Sequence, residues 1–407
     1  GSLAHIVHPS GTKISPYSTP VCVSRVQPDS NPPFMSDIAQ LPPQFASVPS
    51  VPSVCLCDCP RTNPGQLAVA AVSGVLHHAG MQRLTRIAMV LFTICALLLH
   101  ILFTSPLTTV LHDWQSFMAS GRAARNGMNP YAVYPTTLIA EYGGRSFPAP
   151  NLNPPALLPI FDLSSNLDDA TSYRVWQALS VLAYLWSALL LIRTYDNMRL
   201  ERLLWLVAFT PLWSTLALGQ VYMVQLVLTT GAWICMREGR PRLAGILVGL
   251  MAATKPNYLV WPVLLLLSGH RLSALWSAIA FVASNAIALL LYGPDVYLQW
   301  ATVIGSAETS IVPANFSLAG ISSRLGAPSL GTLLAFLLLV LTAVWALRAH
   351  PSPLDVARVG LPASILASPI AWPGYAVVLL PLLLSDPRDS ASAWLLCVPQ
   401  VLCWYWG

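Results

Sequence analysis

Charge is what this sequence lacks most. Its 407 residues include only 21 Lys and Arg and 16 Asp and Glu, or 9% charged, whereas an ordinary soluble domain carries about 25%. Hydrophobic residues make up 55% of the chain, and the mean hydropathy is +0.61. These values exclude a soluble enzyme, a nucleic-acid-binding protein and a disordered scaffold, and they predict a polytopic membrane protein. The net charge of +5 then reflects arginines in loops, so we expect membrane lipids and no nucleic acid as partners.

Motifs for common cofactors are also missing. The sequence contains no Walker or Rossmann glycine loop, which excludes a recognisable nucleotide site. Cys55, Cys57 and Cys59 form a C-x-C-x-C cluster, but no histidine pair at zinc-finger spacing lies nearby. We therefore predict no metal site and no cofactor; a divalent metal is compatible with the sequence but not required by it.

The chain divides into two parts of different composition. Residues 1–82 are rich in Pro and Ser and show no helical period, which predicts a disordered tail. Residues 83–407 contain apolar runs of roughly 20 residues, the length of a membrane-spanning helix. A long mixed segment at about residues 105–172 follows the first run and is predicted to form the first outer loop of this integral-membrane domain.

Three later apolar stretches are interrupted by polar residues or proline. The interruptions are Gly219-Gln220 in Leu203–Met236, Lys255-Pro256 in Leu243–Leu267, and Ser368-Pro369 with Trp372-Pro373 in Leu361–Leu384. If each stretch forms two short helices, the arginine-rich turns collect on one side, as the positive-inside rule prefers. This arrangement predicts an all-α bundle of about eleven transmembrane or re-entrant helices. It also brings five polar positions to the outer side: Asp113, Gln220, Lys255, Asn315 and Trp372.

Two of these residues are candidates for chemistry. Asp113 follows the first apolar run closely, and a carboxylate at the membrane surface can deprotonate a hydroxyl or bind a metal or a sugar. The alternative is a helix N-cap or a solvated loop acid. Lys255 is one of only two lysines, the other being Lys13. Its natural partner is a lipid phosphate, and the alternative is a snorkelling residue at a helix end.

Four further residues are candidates for substrate binding. The Gln220 amide can hydrogen-bond a sugar hydroxyl or simply complete a tight turn. Asn129-Pro130-Tyr131 predicts a turn followed by an aromatic residue, and aromatic residues stack on sugars or form an interfacial belt. We take Gln220, Asn129, Tyr131 and Trp372 as candidate contacts for a sugar or a lipid.

The order of these motifs resembles that of a known family. In sequence they are Asp113, Ala123-x-x-x-Gly127-x-Asn129-Pro130-Tyr131, Pro154-Pro155, Gly219-Gln220, Ala244-Gly245 through Lys255-Pro256, and Ser368-Pro369-x-x-Trp372. The series resembles glycosyltransferase family 87, a family of the GT-C superfamily, and the similarity extends over roughly residues 84–390.

The resemblance implies a fold and a reaction. It implies a GT-C-like helical bundle in a bacterial inner membrane that passes the membrane several times, with its active site facing the periplasm. It also implies transfer, with inversion, of a mannose-like hexose or a pentose from a polyprenyl-phosphate carrier to a lipid or glycan acceptor. Asp113 matches the general base of the first outer loop, and Lys255 matches the lysine near the donor. Many relatives have histidines after the last Trp, whereas this chain has Trp372-Pro373-Gly374-Tyr375.

Two other classes of function remain open at this point. A secondary transporter or lipid flippase also uses broken helices, which line a site in the middle of the membrane. The sequence has no clear internal repeat, and its polar clusters are predicted at one face, so a transporter is the second hypothesis after the transferase. The third hypothesis is a catalytically inactive relative that serves as a membrane scaffold.

Overall fold

The computed structural model describes most of the predicted membrane domain. It describes residues 87–88, 90–102, 112–132, 138–142, 145–195, 200–306 and 314–385. The predicted tail at 1–82 and the cysteine cluster within it lie outside the described residues. The predicted helical fold is confirmed in these ranges, with one small antiparallel hairpin added.

Fifteen α-helices occur in the described part of the chain. They are α1 Val90–Leu102, α2 His112–Arg125, α3 Leu158–Ser164, α4 Asp169–Tyr195, α5 Leu200–Ala208, α6 Thr210–Leu218, α7 Tyr222–Arg237, α8 Pro241–Thr254, α9 Val260–Leu267, α10 Arg271–Tyr292, α11 Asp295–Ser306, α12 Leu318–Arg324, α13 Pro328–Ala349, α14 Pro353–Leu366 and α15 Leu380–Ser385. Short 3₁₀ helices cover Pro155–Leu157, Pro256–Leu259 and Pro373–Leu379. The hairpin pairs β1 (Leu138–Tyr142) with β2 (Arg145–Ala149), and Leu138 is opposite Ala149.

Three of the helices are long and apolar enough to cross a membrane. They are α4 with 27 residues and α10 and α13 with 22 each, or about 40 and 33 Å of helix, against a hydrocarbon core of about 30 Å. The other apolar helices in the described ranges are shorter. Several of them form the interrupted pairs that are described next. The membrane-protein class is therefore supported, and the count of about eleven membrane helices stays a prediction.

The helices break where the polar interruptions predict. After α6 the backbone of Gly219 is left-handed, with φ of 68°, the conformation that glycine adopts most easily at a helix end. After α8, Lys255 is extended and Pro256 begins the next 3₁₀ helix, because proline has no N–H to continue the helix and disfavours a helical residue before it. After α14 the chain is irregular until Trp372, which precedes the 3₁₀ helix Pro373–Leu379.

These breaks lie together. The 3₁₀ helix Pro373–Leu379 packs against α6 and α7, and α14 packs against the 3₁₀ helix Pro256–Leu259. Asn257 donates a hydrogen bond of 3.3 Å to the carbonyl of Ser364, which links the second break to the third. We call the segments 219–221, 255–256 and 367–372 the break region.

Turns that carry arginine also contact one another. Arg237, at the end of α7, donates 2.7 Å to the carbonyl of Thr194 at the end of α4. The Arg358 guanidinium of α14 lies 5.8 Å from the centre of the Trp233 ring on α7. This grouping agrees with the paired short helices predicted from the arginine pattern. The side of the membrane on which these turns lie stays a prediction.

The first part of the predicted outer loop is attached to the bundle by ion pairs. Arg122 of α2 contacts Asp169 at 2.7 Å, and Arg125 contacts Asp162 of α3 at 2.5 Å. Asp162 also accepts a 3.0 Å hydrogen bond from Tyr292 of α10. These contacts fix α2 relative to α3, α4 and α10, and therefore fix the position of Asp113 in its first turn.

The close packing of α8 against α10 leads to a prediction about stability. A Cβ atom at Gly249 would lie 2.2 Å from the carbonyl oxygen of Ser277, so Gly249→Ala forces the two helices apart. We expect it to lower the free energy of unfolding by about 1–3 kcal/mol, measured by thermal unfolding in detergent. Gly305→Ala in α11 is the control, because a Cβ there meets nothing within 4 Å, and it should leave stability unchanged or raise it. Equal melting temperatures for the two variants would contradict the packing.

Candidate active site

The site begins with a contact between two predicted residues. Gln220, in the break between α6 and α7, donates a hydrogen bond from Nε2 to the Oδ2 of Asp113 in the first turn of α2. The backbone of Gln220 is held on both sides: its N–H donates 3.0 Å to the carbonyl of Thr215, and its carbonyl accepts 3.4 Å from the Trp176 indole. The amide is therefore placed by the fold and in turn places the carboxylate.

Glycine is needed at position 219 for this contact. A Cβ atom there would lie 2.7 Å from the Cβ of Trp114, the residue after Asp113. Trp114 is fully buried and stacks on Trp176 at 4.7 Å between ring centres. Since this tryptophan has no space to move, any side chain at 219 would push α2 away from Gln220.

The orientation of the Gln220 amide leaves one polar atom for a ligand. A carboxylate accepts hydrogen bonds, so the NH₂ group of the amide must face Asp113 and the oxygen must face away. The Gln220 Oε1 is buried and has no hydrogen-bond partner among the described residues. A buried acceptor without a partner is costly, and a substrate hydroxyl would satisfy it.

The neighbouring acids have other roles. Asp162 and Asp169 are paired with arginines, as described above. Asp168 caps α4 by accepting a 2.9 Å hydrogen bond from the N–H of Thr171. That hydrogen bond lowers the pKa of the Asp168 carboxyl. Asp113 differs from Asp162 and Asp169 in that its described hydrogen bond comes from a neutral amide, that of Gln220, rather than from an arginine.

Lys255 occupies an aromatic site on the other side of the break region. Its side chain is 9% exposed, and its ammonium lies 5.5 Å from the centre of the Tyr375 ring and 5.9 Å from that of Tyr222. The two rings meet edge to face at 4.8 Å. No carboxylate within the described ranges forms an ion pair with Lys255. The lysine is therefore held near aromatic faces rather than by a counter-ion.

Tyr222 joins the two halves of the site. It begins α7, two residues after Gln220, which donates to Asp113. Its ring also lies beside the ammonium of Lys255. The base candidate and the cation candidate therefore border one region. Sequence reasoning missed Tyr222 and Tyr375, although both stand next to predicted motifs.

Trp372 lies in the loop before Tyr375, and Asn315, from the segment before α12, supports that loop. The Asn315 amide donates 3.0 Å to the carbonyl of Pro369 and accepts 2.9 Å from the N–H of Ala371. The Trp372 carbonyl accepts 2.9 Å from the N–H of Tyr375. Trp372 itself is partly buried against the hydrophobic core. The five positions predicted to lie together are thus linked by contacts through Tyr222 and Tyr375.

Asn129 and Tyr131 have local structural contacts. The Asn129 side chain accepts 2.8 Å from the N–H of Tyr131, which closes the predicted turn. The Tyr131 hydroxyl donates 3.0 Å to the carbonyl of Asn153, and burial raises the pKa of this hydroxyl well above its usual value. These contacts place α2 on the segment before α3. Direct binding of substrate by either residue stays a prediction.

An apolar groove runs beside the Asp113 end of the site. It has a volume of about 410 Å³ and lies between α2, α3 and α4. Trp114, Ile160, Leu163, Trp176 and Leu179 are among its lining residues. Its chemistry suits a hydrocarbon chain.

Metal ligands are not grouped in this part of the molecule. Within the ranges that the structure describes, no three His, Cys, Asp or Glu residues are placed to hold a metal ion. The expectation that no metal is required rests on the sequence alone.

Comparison with known proteins identifies the family. A family model described as Glycosyltransferase family 87 matches residues 151–369, more than half of the chain. No curated protein and no solved structure matches. This match assigns the protein, an apolar helical chain with polar residues at its helix breaks, to the glycosyltransferases. The chain belongs to glycosyltransferase family 87.

The matched range includes some candidate residues and not others. Gln220 and Lys255 lie inside residues 151–369, while Asp113, Asn129 and Tyr131 precede the match and Trp372 follows it. Family membership favours the transferase over the transporter. The roles of individual residues rest on the geometry above.

The Gly219 contact gives a prediction about the site. Gly219→Ala adds a methyl group against Trp114 and should displace Asp113 from Gln220, lowering the rate of sugar transfer by about a hundredfold. Gly239→Ala is the matched control: it has φ of 69°, but a Cβ there meets nothing within 4 Å. Both variants should lose about 1–2 kcal/mol of stability from the left-handed backbone. Equal transfer rates for the two variants would show that the Gly219 contact has no part in activity.

Proposed function

We propose that this protein transfers a sugar, with inversion, from a polyprenyl-phosphate carrier to a hydroxyl of a lipid-linked or glycan acceptor. The observation that carries the proposal is the Lys255 ammonium. It is buried beside two tyrosine rings, has no carboxylate partner in the described ranges, and lies in the same region as the Asp113–Gln220 pair. Membership of a glycosyltransferase family supports sugar transfer in general.

A phosphate-linked donor fits this arrangement of charges. A buried ammonium is costly without a partner, and a phosphodiester supplies an anion only while the substrate is bound. When the bond from the anomeric carbon to the phosphate oxygen breaks, its electron pair stays on that oxygen. A fixed cation next to the leaving phosphate stabilises the charge that develops in the transition state. The leaving group is already activated, so no nucleotide is needed.

Asp113 is proposed to act as the general base. In the proposed step the acceptor hydroxyl gives its proton to the Asp113 carboxylate, and the acceptor oxygen forms the new bond to the anomeric carbon. The bond to the phosphate oxygen breaks on the opposite face, and polyprenyl phosphate departs with inversion. Gln220 positions the carboxylate through Nε2 and offers Oε1 to a sugar hydroxyl. A positioned base of this kind accounts for about 10²–10⁴ in rate.

Apolar surfaces fit substrates that arrive through the lipid. The groove between α2, α3 and α4 adjoins Trp114, so a hydrocarbon chain in it would end close to Asp113. Trp372 is proposed to contact sugar or lipid from the loop that supports Tyr375, and Asn129 and Tyr131 to act less directly. The site is proposed to face the periplasm across a bacterial inner membrane.

Removing the base tests the reaction. Asp113→Asn keeps the hydrogen-bonding shape of the side chain but cannot take a proton, so we expect transfer to fall by about 10²–10⁴. The assay follows radiolabelled sugar from polyprenyl-phosphate mannose into a native lipid extract, with purified protein in detergent. Asp295→Asn, an exposed acid in the first turn of α11, is the control and should keep full activity. Transfer by Asp113→Asn at the wild-type rate would remove Asp113 from the mechanism.

Removing the cation tests the donor. Lys255→Met keeps the aliphatic stem and deletes the charge, and we expect transfer to fall by about 10²–10³ through lost stabilisation of the leaving phosphate. Arg348→Met, an exposed cation at the end of α13, is the matched control and should behave as wild type. A panel of polyprenyl-phosphate hexoses and pentoses identifies the sugar. If wild type transferred from a nucleotide sugar but from no member of this panel, the proposed donor would be wrong.

A further inference from the structure

The aromatic rings around Lys255 have a role of their own. Resting on the proposed function, we infer that Tyr222 and Tyr375 are positioning residues that hold the Lys255 ammonium, which has no ion-pair partner among the described residues, ready for the donor phosphate. Neither tyrosine has a role in the family resemblance. Tyr375 ends the segment Trp372-Pro373-Gly374-Tyr375, in which many relatives have histidines.

Burial of the Lys255 ammonium has a cost. An ammonium removed from water loses its hydration, and the usual compensation in proteins is a carboxylate. Near Lys255 the described residues supply two tyrosine rings instead, at 5.5 and 5.9 Å. An aromatic face attracts a cation within about 6 Å of its centre through the ring quadrupole. This attraction stabilises the ammonium and leaves its net charge intact.

A neutral partner suits this site better than a carboxylate would. A carboxylate beside Lys255 would cancel its charge and compete with the phosphate for it. A ring does neither, so the full positive charge acts on the ligand. The charge pattern of the site therefore differs from that of the arginines on α2, which are paired with Asp162 and Asp169 and are not available to a ligand.

The backbone is shaped to bring the two tyrosine rings together. A Cβ atom at Gly374 would lie 2.5 Å from Cδ2 of Tyr222, so only glycine allows the loop this close. The 3₁₀ helix that begins at Pro373 then turns Tyr375 toward Lys255, with its N–H donating to Trp372. Asn315 fixes the preceding residues. Three separate segments, those of Lys255, Tyr222 and Tyr375, thus meet at one ammonium.

A tyrosine hydroxyl also suits an anionic ligand. The hydroxyl of Tyr222, whose ring lies beside the ammonium, is buried and has no hydrogen-bond partner among the described residues. It approaches Tyr375 without hydrogen-bond geometry. Tyrosine hydroxyls are donors, and phosphate oxygens accept several hydrogen bonds. The Tyr222 hydroxyl therefore suits the same anionic ligand as the Lys255 ammonium.

A binding measurement separates this inference from the proposed reaction. The probes are a polyprenyl phosphate without sugar and the corresponding polyprenol without phosphate, titrated against purified protein in nanodiscs. Tyr375→Leu should weaken binding of the phosphate roughly tenfold, equivalent to about 1.4 kcal/mol, and should leave polyprenol binding unchanged. Tyr375→Phe keeps the ring and should restore most of the affinity. Wild type should bind polyprenyl phosphate more tightly than polyprenol, and the Lys255→Met variant should lose this preference.

Two additions distinguish positioning from a merely structural role. Tyr184→Leu removes an equally buried tyrosine, 4% exposed like Tyr375, and should affect stability but not phosphate binding. Fluorinated phenylalanines at 375 keep the size of the ring and weaken its quadrupole stepwise. Phosphate affinity should fall with each added fluorine, and this series also serves if Tyr375→Leu does not fold.

Each result has a defined meaning. A graded fall across the fluorinated series, with rescue by Tyr375→Phe, supports the positioning role. If Tyr375→Leu and the fluorinated proteins bind the phosphate as tightly as wild type does, the positioning role of the tyrosines is overturned. The proposed donor site at Lys255 is not affected by that result. If wild type binds phosphate and polyprenol equally, the proposed donor site fails, and the inference fails with it.

Discussion

A lysine buried without a carboxylate partner in the described structure is the feature on which the rest of the site depends. The ammonium of Lys255 is stabilised by the faces of Tyr222 and Tyr375, which compensate only part of the cost of burial. Under the proposed function, an anionic substrate relieves the remaining cost. The Asp113–Gln220 pair lies in the same region, so the proposed base and the proposed cation border the space between α2 and α7.

The helix breaks provide these groups. Within a membrane every backbone N–H and C=O must find a partner, so an interruption is tolerated only where neighbouring segments supply one. Here Gly219 ends α6 and allows Gln220 to donate to Thr215, while Asn315 satisfies the irregular chain before Trp372. The same irregular backbone that needs support places Gln220, Lys255 and Tyr375 where a regular helix would not. The contacts that satisfy the backbone at the breaks therefore also position the residues of the candidate site.

The sequence predicted the breaks well because glycine and proline act locally. Gly219 and Pro256 end helices for reasons contained in their own geometry, and the low charge defined the membrane class. The hairpin β1–β2 and the roles of the aromatic residues were not predictable in this way. Tyr375 becomes part of the site only because Gly374 lets it approach Tyr222, a contact between residues distant in the sequence. Likewise, Tyr131 is indistinguishable in sequence from a sugar-stacking residue, and only its hydrogen bond to Asn153 shows its local structural contact.

The position of the donor phosphate is the most direct test of this account. The measurement is the distance from the Lys255 ammonium to the phosphate in a cryo-electron-microscopy structure with a phosphonate analogue of a polyprenyl-phosphate sugar. The account predicts a phosphate oxygen within about 4 Å of the ammonium, the range of a direct ion pair, with the anomeric carbon facing Asp113. A phosphate bound instead by the arginines at the opposite turns, with Lys255 unchanged among its tyrosines, would contradict it.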